Sequence, residues 1–205
     1  MIVLSQAYFR AFVIGLIAAL AEFFGSYISG SISLLGDAFH IGFDTVGYLI
    51  GWFSIALMLR VPGRRFQALM GIFLVLASAN ILYQAVERFQ TGGAVITNTL
   101  WFFVIGIFGL AANAVTLLIL RVPHNHGHLQ HEHEEHGAHA HSHDAILSAN
   151  ILHTVSDFAC SVLVVLTALS HLVFPETRFL ALVDPAVSLV IASFLLIQAY
   201  RLLTT

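Results

Sequence analysis

At 205 residues, 59% of them hydrophobic and only 9% charged, with a mean hydropathy of +0.90, the chain falls far outside the averages of soluble domains and reads as an all-α integral membrane protein. The net charge is −3 and every positive charge is an arginine, so no nucleic-acid partner is expected; the working partner is the lipid bilayer. A lone cysteine, Cys160, excludes an intrachain disulfide and a cysteine-based metal site.

Six spans of about 20 residues, each long enough for a hydrocarbon core of roughly 30 Å, use up the length, so residues 1–205 are expected to form a single transmembrane domain. The first span, 8–29, is too long for a signal-peptide core, contains Glu22 and has no lysine-rich leader, so it should remain as a helix. Gly30 and Ser31 break it from the second, 33–59, in which Asp37, His40 and Asp44 fall at i, i+3 and i+7 and form one polar stripe. Gly42, Gly47 and Gly51 on the same span leave room for movement against its neighbours. Pro62-Gly63-Arg64-Arg65 precedes the third span, 66–90, and Thr91-Gly92-Gly93 precedes the fourth, 97–121, which carries Asn113.

Residues 122–144 then form the single polar tract, with histidines at His124, His126, His128, His131, His133, His136, His139, His141 and His143 among Glu132, Glu134 and Glu135. Too little of it is apolar to pack a core, and its chemistry suits weak, multi-site gathering of borderline divalent metals; the competing reading is a solvated linker of biased composition. The fifth span, 145–173, repeats the earlier stripe as Asn150, His153 and Asp157. Pro175 ends it, and the sixth runs 180–203 with Pro185 in the first turn or two, where proline is tolerated. Asp184 is expected to be a structural, solvent-wetted group at the outer end of that span, Cys160 a core residue and His171 an interfacial one. With both termini cytoplasmic, Arg10, Arg60, Arg64, Arg65, Arg121 and Arg201 lie inside and only Arg88 and Arg178 outside, which the positive-inside tendency favours. The histidine tract is then cytoplasmic.

Ionisable groups at bilayer depth are costly and mark ion pathways or bundle interiors. Asp occupies only five of 205 positions, yet His40 of span two and His153 of span five each have one four residues on, where it shares the same helix face. In antiparallel spans the two stripes can meet near mid-membrane, where two imidazoles and two carboxylates, His40, Asp44, His153 and Asp157, would form the tetrahedron zinc commonly adopts. Ligand type alone does not separate zinc from cadmium, cobalt, nickel, iron or manganese. The bland alternative is a His–Asp clamp holding the two helices together. Glu22, Asp37, Asn113 and Asn150 are read either as outer partners of the ligands or lining of an access path, or as ordinary interhelical hydrogen-bonding groups.

The motifs Ser33-Leu34-Leu35-Gly36-Asp37-Ala38-Phe39-His40-x-x-x-Asp44, Leu152-His153-x-x-x-Asp157-x-x-x-Ser161-Val162 and Asp184-Pro185-x-x-Ser188-Leu189, with Glu22-x-x-Gly25 and Glu87-Arg88 in support, resemble the cation diffusion facilitator family of zinc and related divalent-metal transporters. The resemblance implies six helices, a transported ion held by His40, Asp44, His153 and Asp157, exchange of metal for protons, and commonly a homodimer. His rather than Asp at position 40 is similar to zinc-preferring members, and the small size fits a prokaryotic inner membrane. Two departures stand out: most members continue into a cytoplasmic domain that binds metal and joins protomers, where this chain stops at Thr205, and the loop near Pro62–Phe66 is short. The expected function is therefore export of zinc from the cytoplasm against protons. The rivals are a metal-gated membrane sensor or passive metal channel with the same ligands, and a membrane enzyme with a buried di-metal centre, which would need more ligands than this set supplies.

Overall fold

The computed structural model describes residues 2–56, 64–93, 96–121, 140–174 and 179–204; within these, the side chains of 2–4, 54, 65–66, 121 and 140–156 lie outside the description. The described chain is helical, in the order α1 (Ile2–Ser29), α2 (Ile32–Ala56), α3 (Arg64–Thr91), α4 (Thr99–Arg121), α5 (Ala140–Val173) and α6 (Val183–Thr204), the last preceded by a single 3₁₀ turn at Leu180–Leu182. Four of these, α1, α3, α4 and α6, are long and apolar enough to cross a bilayer on length and composition alone. The two that carry the polar stripes, α2 and α5, are absent from that set because their ionisable residues dilute an otherwise apolar run and the described apolar part of α5 is Asp157–Val173. This is an all-α membrane protein.

Two of the predicted breaks, at Gly30 and at Gly92-Gly93, fall at turns, while those at Pro62-Gly63 and Pro175 lie outside the described residues. Gly30 closes α1 with φ 75° and donates its N–H to Ser26 O at 2.8 Å, the left-handed C-terminal residue that only glycine adopts without cost. Thr97 then returns to the end of α1, with its N–H on Ser29 O at 2.9 Å and its hydroxyl on Ile28 O at 2.8 Å, so the α3–α4 connection is tied to the α1–α2 corner. At 34 residues, α5 is about 51 Å long, well beyond a hydrocarbon core of roughly 30 Å. It begins at Ala140, five residues before the expected start, and so takes in the last two histidines of the tract; the rest of the tract, 122–139, lies outside the described residues.

Helix α1 packs between α2 and α4, and α4 packs on α5, while α3 and α6 form a second close pair against α2. The main core, including Ile32, Leu34, Leu74, Ile81, Phe102, Val164, Ile191 and Leu195, therefore draws on five helices. The outward faces are equally apolar: Tyr27, Leu69, Leu76, Leu118 and Val190 are exposed. In lipid such faces give no reason for helices to associate, and close approach of backbones does more of the work. Gly36 of α2 lies against Ile191 of α6, and a methyl group there would sit 2.9 Å from the isoleucine Cγ2. Among the three glycines expected to free α2, only Gly51 makes a tight contact, with the Tyr8 ring; Gly47 faces open space and Gly42 only brushes Ala19.

The outer end of α2 departs from expectation. Asp184 is completely buried, not wetted, and it caps α2 from a different helix. Its carboxylate accepts from Ser31 Oγ at 2.6 Å, Ser33 Oγ at 2.6 Å, Ile32 N at 2.9 Å and Ser33 N at 3.2 Å, with Arg88 Nη1 3.4 Å away. Ser31 meanwhile acts as the N-cap, accepting from Leu34 N at 3.1 Å. The first amides of a helix have no partner within it and carry partial positive charge, so an anion is favoured there. His171, in the last turn of α5, is also buried within the bundle, with Nδ1 2.9 Å from Thr167 O and its ring against Phe102. Cys160 packs in the main core as expected.

Candidate metal centre

Fixing α2 at its outer end sets the depth and rotation of the stripe that follows. His40 lies two turns further in, fully buried, with its ring held edge-on against Phe194 of α6 at a centroid separation of 5.6 Å. Its Nε2 points across the bundle to α5, 2.8 Å from Asp157 Oδ1, and is 3.7 Å from Asp44 Oδ2 one turn along its own helix. One donor atom from each of His40, Asp44 and Asp157 lies within 4.8 Å of the other two. Tetrahedral nitrogen and oxygen ligands at roughly 2.0 Å from zinc are about 3.3 Å apart, so small side-chain adjustments would bring these three onto one ion.

Asp157 is on the α5 backbone four residues after His153, and the helical period puts both on one face. The side chains of His153 and Asn150 lie outside the described residues, as do those of the histidines at 124–143. Two carboxylates converging with a buried imidazole make a site that wants a cation, since buried anions without one are strongly disfavoured.

The other polar groups fall into two sets. Asn113 Nδ2 donates to Ser161 Oγ at 2.8 Å, joining α4 to α5 one turn from Asp157. Asp37 and Glu22 are fully buried; Asp37 lies beside the Ser161 hydroxyl and His40, whereas neither carboxyl oxygen of Glu22 has a hydrogen-bond partner. A Cβ added at Gly109 of α4 would overlap Glu22 Oε1, so Glu22 is packed directly against the α4 backbone. Sequence reasoning missed two neighbours of the ligands: Phe194, whose apolar ring gives no sign of its role, and Tyr48, which stands one turn beyond Asp44 beside Asp44, Asp157 and Tyr8.

Exposure is uneven along the stripe. The Asp44 and Asp157 side chains are 13% and 15% exposed, whereas His40 is sealed, as are Asp37, Glu22 and the serines of the α2 cap beyond it. Access to the cluster is thus from the half of the membrane that holds the end of α2 and the start of α5.

The chain is 26% identical over 197 residues to a cadmium, cobalt and zinc/H(+)-K(+) antiporter of Bacillus velezensis, covering 89% of this chain and 55% of that protein. It is 27% identical over 195 residues to zinc transporter ZitB of Escherichia coli, covering 90% and 55%, and 26% identical over 198 residues to the human proton-coupled zinc antiporter SLC30A8, covering 90% and 49%. The chain spans about half the length of the curated relatives it matches. The family model for the cation efflux transmembrane domain matches residues 8–205, so the chain belongs to the cation efflux family.

Proposed function

We propose that this domain carries zinc, and with it related divalent ions such as cadmium and cobalt, out of the cytoplasm in exchange for protons, with His40, Asp44, His153 and Asp157 as the transport ligands. The observation that carries the reading is the meeting of His40 and Asp44 of α2 with Asp157 of α5 inside a membrane bundle. The names of the relatives, two of them antiporters that include zinc and protons, support it further. A homodimer is part of the same proposal and rests on the family relationship.

With both termini in the cytoplasm, the wetter half of the site faces inward, so the described conformation is the one that loads metal. Binding requires ionised carboxylates and neutral imidazoles, and an ordinary imidazole titrates near pH 6.5. The sign follows: protons compete below about that pH, and affinity rises as pH climbs through it. An alternating bundle that presents the ligands outward to a more acidic solution would release the ion and take up protons in its place.

The test is zinc flux in proteoliposomes. Uphill flux should stop when the pH gradient is collapsed; flux that follows only the zinc gradient, whatever the pH, would instead identify a passive channel with the same ligands. The histidine tract is proposed to gather ions at the cytoplasmic entrance. Deleting residues 124–139, which spares the start of α5, should weaken apparent zinc affinity several-fold and leave maximal flux standing; complete loss of flux would reject that role.

A further inference from the structure

We propose that Glu22 is a proton-binding site in the outer half of the domain, and that a proton on its carboxyl is needed for α1, α2 and α4 to close over that half. The inference rests on the exchanger reading for its purpose, and on separate observations for its existence. Glu22 lies seven residues before the end of α1, about 10 Å along the helix from its outer terminus. It is fully buried, and neither carboxyl oxygen meets a donor.

The surroundings supply no counter-charge. From α2 it faces Asp37, itself 1% exposed, which unlike Glu22 has the Ser161 hydroxyl of α5 and the His40 imidazole as its own polar neighbours. From α4 it meets Gly109 and, one turn on, Asn113, whose amide is engaged by Ser161; neither is ionisable. Arg10, the arginine of α1, is twelve residues away, about 18 Å toward the opposite membrane face.

Asp184 shows how this fold accommodates another buried carboxyl: two hydroxyls, two backbone amides and an arginine surround it. Glu22 has none of these. A buried carboxylate that has no donor of its own and faces a second carboxyl is an unpaired charge, and such a charge is expelled or neutralised. A proton is the smallest ion that does so, and it adds no bulk where the carboxyl already lies against the Gly109 backbone.

The consequence is a linkage between external pH and shape. When the outer half closes, the Glu22 carboxylate takes one proton from the outer solution and forms an O–H bond. When it opens, that bond breaks and the proton returns to water, leaving a hydrated carboxylate. Acid outside then favours closure, which returns an emptied carrier to the inward-loading state.

Two measurements on the full chain in lipid, both without metal, test this. The infrared carbonyl band of a protonated carboxyl should be present at neutral pH, lose intensity in Glu22→Gln and persist in Asp37→Asn; equal intensity in the parent and Glu22→Gln overturns the proposal. Ser26, one turn outward of Glu22 and also buried, provides the second readout as Ser26→Cys in a Cys160→Ala background. Labelling by an impermeant thiol reagent from outside should rise with external pH more steeply than thiol ionisation alone dictates when Glu22 is present, and should be slow and follow only that intrinsic rise in Glu22→Gln. The same rise in both variants overturns the proposal. Zinc flux that ignored pH would count against the exchanger while leaving these two results intact.

Discussion

Asp157→Ala should abolish uphill zinc flux and lower zinc affinity at the proposed central site by at least about 100-fold, more than the 10–100-fold typical of losing a group that merely supports a ligand. Asp157 Oδ1 is 2.8 Å from His40 Nε2, so the substitution removes a donor from α5 and the partner that aligns the donor from α2. It also changes the charge of the site. Asp44 and Asp157 together neutralise a divalent ion, and with one carboxylate gone a bound ion carries a net positive charge in a sealed region, a state of high cost. Asp157→Asn keeps the shape and loses the charge, so it should resemble the alanine variant in flux. Calorimetry of zinc binding beside vesicle flux checks both parts, and zinc transport retained in Asp157→Ala would undo the assignment.

That site was visible in advance because its main determinant is local. A four-residue spacing on a helix puts His40 and Asp44 on one face whatever surrounds them, and the second copy names the facing helix. The six spans were legible for a similar reason: bilayer thickness dictates their length, and Gly30, Gly92 and Gly93, all at positive φ, mark where they end. Pairing was a different matter. The lipid-facing and partner-facing sides of α3 and α6 are alike in hydrophobicity, so no periodicity announces that these two helices go together. Nor does any local pattern show that Glu22 lies against Gly109 without a donor, or that Phe194 holds the His40 ring. Asp184 was misread because a carboxylate beside a proline at a helix end is ordinarily wet, and its four donors come from residues about 150 positions earlier in the chain.

The same residue carries the largest expected effect on stability. Asp184→Ala should lower the stability of the folded protein by about 3–5 kcal/mol, the range for removing one partner of a buried, hydrogen-bonded charge set. The variant strands Ser31 Oγ, Ser33 Oγ and the N–H groups of Ile32 and Ser33 at a buried helix start, and leaves Arg88 facing them with no anion. Asp184→Asn keeps an acceptor oxygen for the amides and loses the charge, so it should fall between the two proteins. The damage should also reach the metal site, because α2 is held in depth at this cap and His40 follows nine residues after Ser31 on the same rigid helix. Thermal unfolding in lipid nanodiscs reads the first effect and zinc calorimetry the second. A melting temperature equal to the parent's would mean that the α2 start finds other acceptors. A lowered one with unchanged zinc affinity would mean that the cap holds the bundle together without setting the position of the ligands.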